Sequence, residues 1–146
     1  NAEKIISIDL PEGRFGGGYP MQKQKLYKYF THDKKTEMHL IQNNSHSEFT
    51  LKKMQRIIET KKIDFLFIDG DHSYEGVKLD FELYSPFVKT GGIIAFHDIV
   101  TNSTSHYEAD SIEVPRFWNE IKTKYRYEEI IENVNQRSMG IGIIFV

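Results

Sequence analysis

Asp64-Phe65-Leu66-Phe67-Ile68-Asp69-Gly70-Asp71-His72 is the stretch that decides how this chain folds. Its apolar part, Phe65 to Ile68, is too short for a helix and offers side chains to both faces of a sheet, as a central parallel strand does. It stops at a run of ionisable residues. The same design recurs on either side. Downstream, Gly91-Gly92 leads into Ile93-Ile94-Ala95-Phe96, which ends at His97-Asp98. Upstream, Lys4-Ile5-Ile6-Ser7-Ile8 ends at Asp9, and Met38-His39-Leu40-Ile41 forms another short strand before Asn44 and Ser45.

Helical patterns fill the gaps. They cover Met21–Thr31, a segment from Ser45 to about Thr60, Tyr74–Val88, and Pro115 to about Tyr125. The second opens with the capping-box spacing Ser45-x-x-Glu48 and repeats Leu51, Met54, Ile57 and Ile58 at helical intervals. Two closing runs, Tyr127–Glu132 and Gly140–Val146, are joined too closely for a crossover helix and are expected to pair antiparallel. Strands alternating with helices read as α/β with a mostly parallel sheet.

Composition narrows the function. A chain of 146 residues can bury its own core as one domain. With 19 Lys+Arg against 21 Asp+Glu, the net charge of -2 lacks the basic excess of a nucleic-acid binder. No apolar run is long enough to span a membrane. The absence of cysteine excludes disulfides, thiolate zinc sites and cysteine nucleophiles, and fits a reducing cytoplasm.

In open parallel sheets, ligands bind outside the carboxyl ends of the strands. Asp9, the Asp69–His72 cluster and His97-Asp98 are therefore expected to meet in one cleft. Asp9 suits the vicinal hydroxyls of a ribose, or alternatively starts the turn before Pro11. Asp69, Asp71 and Asp98 can offer oxygen ligands to a hard divalent cation, and His97 adds a nitrogen that favours Mn²⁺, Fe²⁺ or Zn²⁺. The competing reading is that Asp71 or Asp98 caps the segment that follows it. His72 has the reference pKa of a general base. The run Gly16-Gly17-Gly18 fits no phosphate-loop spacing and reads as a lid or substrate-side loop.

These pieces occur in a telling order: Ile6 to Pro11, Phe15 to Pro20, Asn44 to Ser47, Asp69-Gly70-Asp71-His72-Ser73-Tyr74-Glu75-Gly76, and Gly91 to Asp98. Together they resemble the class I S-adenosylmethionine-dependent methyltransferases, in particular the cephalosporin-hydroxylase-like, small-molecule O-methyltransferase branch. The resemblance implies a Rossmann-like, mostly parallel sheet with helices on both faces and a C-terminal antiparallel strand pair. By it, Asp9, Asn44, Ser45 and Asp69 contact S-adenosylmethionine, with Asp9 on the ribose and Asn44 and Ser45 near the adenine. Asp69, His97 and Asp98 stand where related enzymes ligate a divalent metal, Mg²⁺ foremost. Those enzymes usually carry Asp and Asn at the positions of His97 and Asp98. His72 stands where they keep a catalytic lysine, which implies the role of base.

The resemblance further implies a small-molecule or sugar acceptor, a cytoplasmic setting and a homo-oligomer, with no nucleic-acid or membrane partner. The family's first strand and its E/D-x-G-x-G-x-G turn find no match before Asp9. Residues 3–146 therefore read as a partial, N-terminally truncated domain, with Asn1-Ala2 set aside as a tag remnant. The strands ending at Asp9 and Asp69 are then expected to pair directly, or to leave an edge that a second chain fills. Two other functions stay open. One is a non-catalytic dimerisation or binding module. The other is a metal-dependent oxygenase or hydrolase using Asp69, His97 and Asp98, although one histidine is fewer than a two-His-one-carboxylate triad requires.

Overall fold

A computed structural model describes residues 2–11, 25–27, 29, 35–100, 112–133, 135–136 and 138–146. The Gly16–Gly18 run and most of the helix expected over Met21–Thr31 lie outside the described residues. The chain divides into two compact units, Asn1–Glu59 and Thr60–Val146.

In the first unit, β1 (Lys4–Asp9) and β2 (Glu37–Gln42) run parallel, in register from Lys4 opposite Glu37 to Asp9 opposite Gln42. The Asn43 N–H donates to the Asp9 carbonyl at 2.8 Å, so both strands terminate side by side. Helix α1 (Glu48–Ile58) begins later than the capping-box spacing implies. Ser47, not Ser45, is its cap: the Ser47 Oγ accepts from the Thr50 N–H at 3.1 Å. Glu48 is the first helical residue, where its charge favours the positive end of the helix dipole. At the other end the Lys4 ammonium donates to the Ile57 carbonyl at 2.8 Å, placing a cation on the negative end. Ile41, Thr50, Met54 and Ile58 are buried. Thr50 can be buried because its hydroxyl pairs with that of Ser47 at 2.8 Å.

The second unit carries β3 (Ile63–Ile68), α2 (Tyr74–Tyr84), β4 (Val88–Val100), α3 (Val114–Ile121), β5 (Arg126–Ile130) and β6 (Met139–Phe145). The sheet order is β3-β4-β6-β5; β3 and β4 are parallel, and the other two pairings are antiparallel, as expected of the closing strands. The α/β reading holds. Helix α2 stops four residues short of Val88, because Pro86 cannot continue the hydrogen-bonding pattern and Ser85–Phe87 tighten into a 3₁₀ turn. Strand β4 is far longer than the Ile93–Phe96 run, since its pairing with β6 continues through His97 to Val100.

Both helices of this unit bury side chains in one core with Ile68, Ile94, Phe96 and Ile144. Aromatic rings dominate it: Phe96 lies 5.7 Å from Trp118 and 6.1 Å from Phe117, between ring centroids. Such pairs contribute about 0.5–1.5 kcal/mol each beyond the area they bury. Gly142 on β6 makes room for Trp118, because a Cβ there would lie 2.8 Å from three atoms of the indole. The indole Nε1 donates to the Glu129 carboxylate on β5 at 2.6 Å, and Lys122 donates to the same oxygen at 2.9 Å.

Two expectations for β3 need correction. Among the described residues β1 is bonded only to β2 and β3 only to β4, so of the two expected alternatives direct pairing is not seen, and an edge open to a second chain is the one left standing. Nor is β3 central in its sheet. Leu66 and Ile68 turn toward the core, while Phe65 and Phe67 on the alternate face stay 56% and 45% exposed. Among the described residues no helix is long and apolar enough to cross a membrane.

Candidate active site

The register of the parallel pair builds the site. Ile68 lies opposite Phe96, so Asp69, one step beyond the end of β3, comes beside His97 on β4. The connection from Asp69 to Ser73 then turns sharply into α2. Asp71 makes that turn: its Oδ1 accepts from the Ser73 N–H at 2.9 Å. Its side chain also lies against Gly76, where a Cβ would come within 2.2 Å of the Asp71 carboxyl carbon. Asp71 thus serves the turn, as the capping reading anticipates. Ser73 caps α2 by accepting from the Gly76 N–H at 3.1 Å.

A bulge in β4 completes the site. His97 faces Ile141 and Val100 faces Met139, so β4 advances three residues while β6 advances two. The extra residue lets Asp98 adopt φ +60°, a left-handed conformation that Asp tolerates better than most residues. Neighbours on a regular strand point to opposite faces. Here the His97 and Asp98 side chains converge instead.

Four polar atoms result in a closed ring. The Asp69 Oδ1 lies 3.5 Å from His72 Nε2 and 3.3 Å from His97 Nδ1. The Asp98 Oδ2 lies 3.5 Å from His72 Nε2 and 3.2 Å from His97 Nδ1. Each carboxylate oxygen is therefore flanked by both imidazoles. Asp98 is the most enclosed of the four, its side chain only 12% exposed. The His72 interaction, with His97 adding to it, holds the Asp69 carboxyl below the ordinary carboxylate range despite partial burial. Asp69 in turn raises the His72 imidazole above its ordinary value, against the effect of burial and helped by the charge of Asp98.

This donor set fits a divalent cation. One ligand atom each from Asp69, His72 and Asp98 lie within 4.8 Å of one another, and His97 borders both carboxylates. Carboxylate oxygens with imidazole nitrogens suit Mg²⁺, Mn²⁺, Fe²⁺ or Zn²⁺. The sequence reading separated His97, as ligand, from His72, as base. The structure makes their positions nearly equivalent. It also surrounds the site with features the sequence did not reveal. Phe67 meets His97 edge-on at 6.4 Å between ring centroids. Glu113 donates its backbone N–H to the His72 carbonyl at 2.7 Å, and nothing in the local sequence announces so distant a contact.

The other expected residues belong to the first unit. Asp9 and Asn44 flank the parallel strand ends, where Asn43 is bonded to Asp9. The Asn44 Oδ1 accepts from the His46 N–H at 2.8 Å and shapes the turn into α1; Ser45 lies within that turn.

A family model described as a methyltransferase domain matches residues 1–99. The chain belongs to this methyltransferase family. Solved structures share its fold at low identity. TomG, an O-methyltransferase from Streptomyces achromogenes solved with S-adenosylmethionine, has a TM-score of 0.60 at 12% identity, over 99% of this chain and 73% of its own. An O-methyltransferase family protein from Burkholderia thailandensis has a TM-score of 0.55 at 12% identity, over 96% of this chain and 43% of its own. MycE, from the mycinamycin biosynthetic pathway and solved with Mg and SAH, has a TM-score of 0.52 at 13% identity, over 99% of this chain and 45% of its own. This methyltransferase-family chain thus spans less than half the length of the last two. Uncharacterized protein R132 of Acanthamoeba polyphaga mimivirus is 58% identical over 36 residues, which are 25% of this chain and 16% of that protein.

Proposed function

We propose that the chain serves S-adenosylmethionine-dependent O-methyl transfer to a small molecule or sugar, assisted by a divalent metal, Mg²⁺ foremost. The observation that carries this reading is the ring of Asp69, His72, Asp98 and His97 in a methyltransferase-family domain. When bound, S-adenosylmethionine supplies the methyl group, and the cation lowers the pKa of the acceptor hydroxyl.

The chain's own residues do the rest. Asp69, His97 and Asp98 hold the cation through two carboxylate oxygens and an imidazole nitrogen. His72, unprotonated at Nε2, accepts the hydroxyl proton there, and the negative charge of the Asp69 carboxylate 3.5 Å away stabilises the charged imidazole that results. Asp9 holds the ribose hydroxyls, with Asn44 and Ser45 at the adenine. Asp69 completes the cofactor contacts.

The distances support a second assignment, in which His72 is a ligand with Asp69 and Asp98. Two imidazoles beside these carboxylates also remove the shortage of histidines that counted against an oxygenase. Membership of the methyltransferase family favours methyl transfer. A cytoplasmic setting is supported by the absence of cysteine. A homo-oligomer is supported by the exposed Phe65 and Phe67 on β3.

Calorimetry on the full chain tests the proposal. S-adenosylmethionine should bind, and Asp9→Ala should weaken it. Mn²⁺ should bind and be lost in Asp69→Ala. His97→Ala should weaken Mn²⁺ more than His72→Ala if His97 is the ligand. Failure of S-adenosylmethionine to bind, with Mn²⁺ still bound and iron-dependent oxygen uptake, would establish the oxygenase reading.

A further inference from the structure

We infer that Glu113 is a positioning residue, which fixes His72 beside Asp69 and Asp98 by clamping the turn that carries it to the start of α3. The inference rests on the site reading above for its chemical consequence, while the placement itself can be measured separately.

His72 sits on the short connection between β3 and α2. Its two ring contacts, both 3.5 Å, lie at the outer limit of hydrogen bonding and cannot alone hold the imidazole. The backbone is held instead. The Glu113 N–H donates to the His72 carbonyl at 2.7 Å. The Glu113 side chain returns to the same turn, where Oε2 accepts from the Tyr74 N–H at 3.2 Å. Two successive peptide groups, those following His72 and Ser73, are thereby tied to one residue.

The other carboxylate oxygen, Oε1, accepts from Arg116 Nη1 at 3.1 Å, which steadies the side chain. Glu113 is itself anchored, because its carbonyl accepts from the Arg116 N–H at 3.0 Å in the first turn of α3. Glu113 is the N-cap residue of α3, but capping of α3 does not require its bonds to the turn that carries His72. Ser73 already caps α2, and what Glu113 adds is a bond between two elements distant in sequence. Movement at the start of α3 would therefore carry His72 toward or away from the carboxylates.

The test uses the full chain without metal and follows the histidine ring signals by NMR, with Mn²⁺ binding measured separately by electron paramagnetic resonance. Glu113→Ala removes the carboxylate. Glu113→Asp keeps charge and backbone but cannot reach the Tyr74 N–H, so the comparison survives if the alanine variant unfolds. Both should shift and broaden the His72 ring signals while those of His39 and His46 stay in place. Glu113→Gln, whose carbonyl can accept the same N–H, should restore the wild-type signals. In the assignment where His72 is a ligand, Mn²⁺ affinity should fall about 10–100-fold in the first two variants and not in the third, as for loss of an outer partner of a metal site. With His97 as the ligand it should stay unchanged. Unmoved His72 signals in Glu113→Asp would overturn the positioning role, whatever Mn²⁺ does. Absence of Mn²⁺ binding to the wild type would overturn the metal reading and leave the ring signals to decide positioning.

Discussion

His97 Nδ1 lies 3.2 Å from Asp98 Oδ2, although the two residues are neighbours on one strand. The bulge at φ +60° makes this meeting possible, so backbone and charge at position 98 can be separated by mutation. Asp98→Asn keeps a side chain that tolerates the left-handed region but removes the anionic ligand. Its melting temperature should stay near wild type while Mn²⁺ affinity drops by more than about 100-fold, beyond the usual cost of an outer partner. Asp98→Val should instead destabilise by about 1–3 kcal/mol, since a β-branched residue is strained there. Thermal melts paired with Mn²⁺ titrations distinguish the two effects.

Gly142 lies under the Trp118 ring with no space for a methyl group. Gly142→Ala should cost about 1–3 kcal/mol through overpacking, because the indole is enclosed by Phe96 and tied to Glu129. Urea unfolding measures it. A cost below half a kcal/mol would mean that the ring can move aside.

Glu129 gives the clearest pH dependence away from the site. Hydrogen bonding to Lys122, and then to Trp118, holds its carboxyl below the ordinary value of 4.5. A depressed folded pKa means that the unfolded state binds the proton more readily. The stabilisation is therefore complete above the unfolded value and is lost as pH falls through the folded one. In Glu129→Gln the amide oxygen can still accept from Trp118, but the charge facing Lys122 is gone. The stability gap between wild type and this variant should stay constant above about pH 5 and close at lower pH. Melts from neutral to acidic pH provide the check.

Much of this fold was legible because the decisive signals are local. Phe65 to Ile68 is apolar, Gly91-Gly92 precedes another apolar run, and each run ends in ionisable residues that a sheet interior would exclude. Local signals cannot report what depends on pairing. The two faces of β3 look alike in sequence, yet Ile68 is buried and Phe65 exposed, because sheet order decides which face is covered. The same holds for the site. Asp69, His72, His97 and Asp98 stand out as strand-end residues, whereas the bulge arises from register against β6 and leaves no glycine to mark it. Glu113 is invisible for the same reason.

The cap of α1 offers a local test. Ser47 accepts from the Thr50 N–H, so Ser47→Ala should cost about 1 kcal/mol of helix stability. Ser45→Ala should leave the helix intact, because Ser45 lies before the cap. If Ser45 contacts the cofactor, the same variant should weaken S-adenosylmethionine binding without lowering the melting temperature. Calorimetry beside thermal melts separates the two serines.

Trp118 is the chain's single tryptophan, buried in the second unit beneath Tyr127 and donating to a charged carboxylate. Its emission therefore comes from the unit of residues 60–146, while residues 1–59, which include Asp9 and Asn44, carry no indole. Tryptophan fluorescence and circular dichroism will coincide during unfolding only if the two units melt together. A dichroism change without a fluorescence change isolates the loss of the first unit, so the chain carries its own optical label for the half that holds the histidine ring.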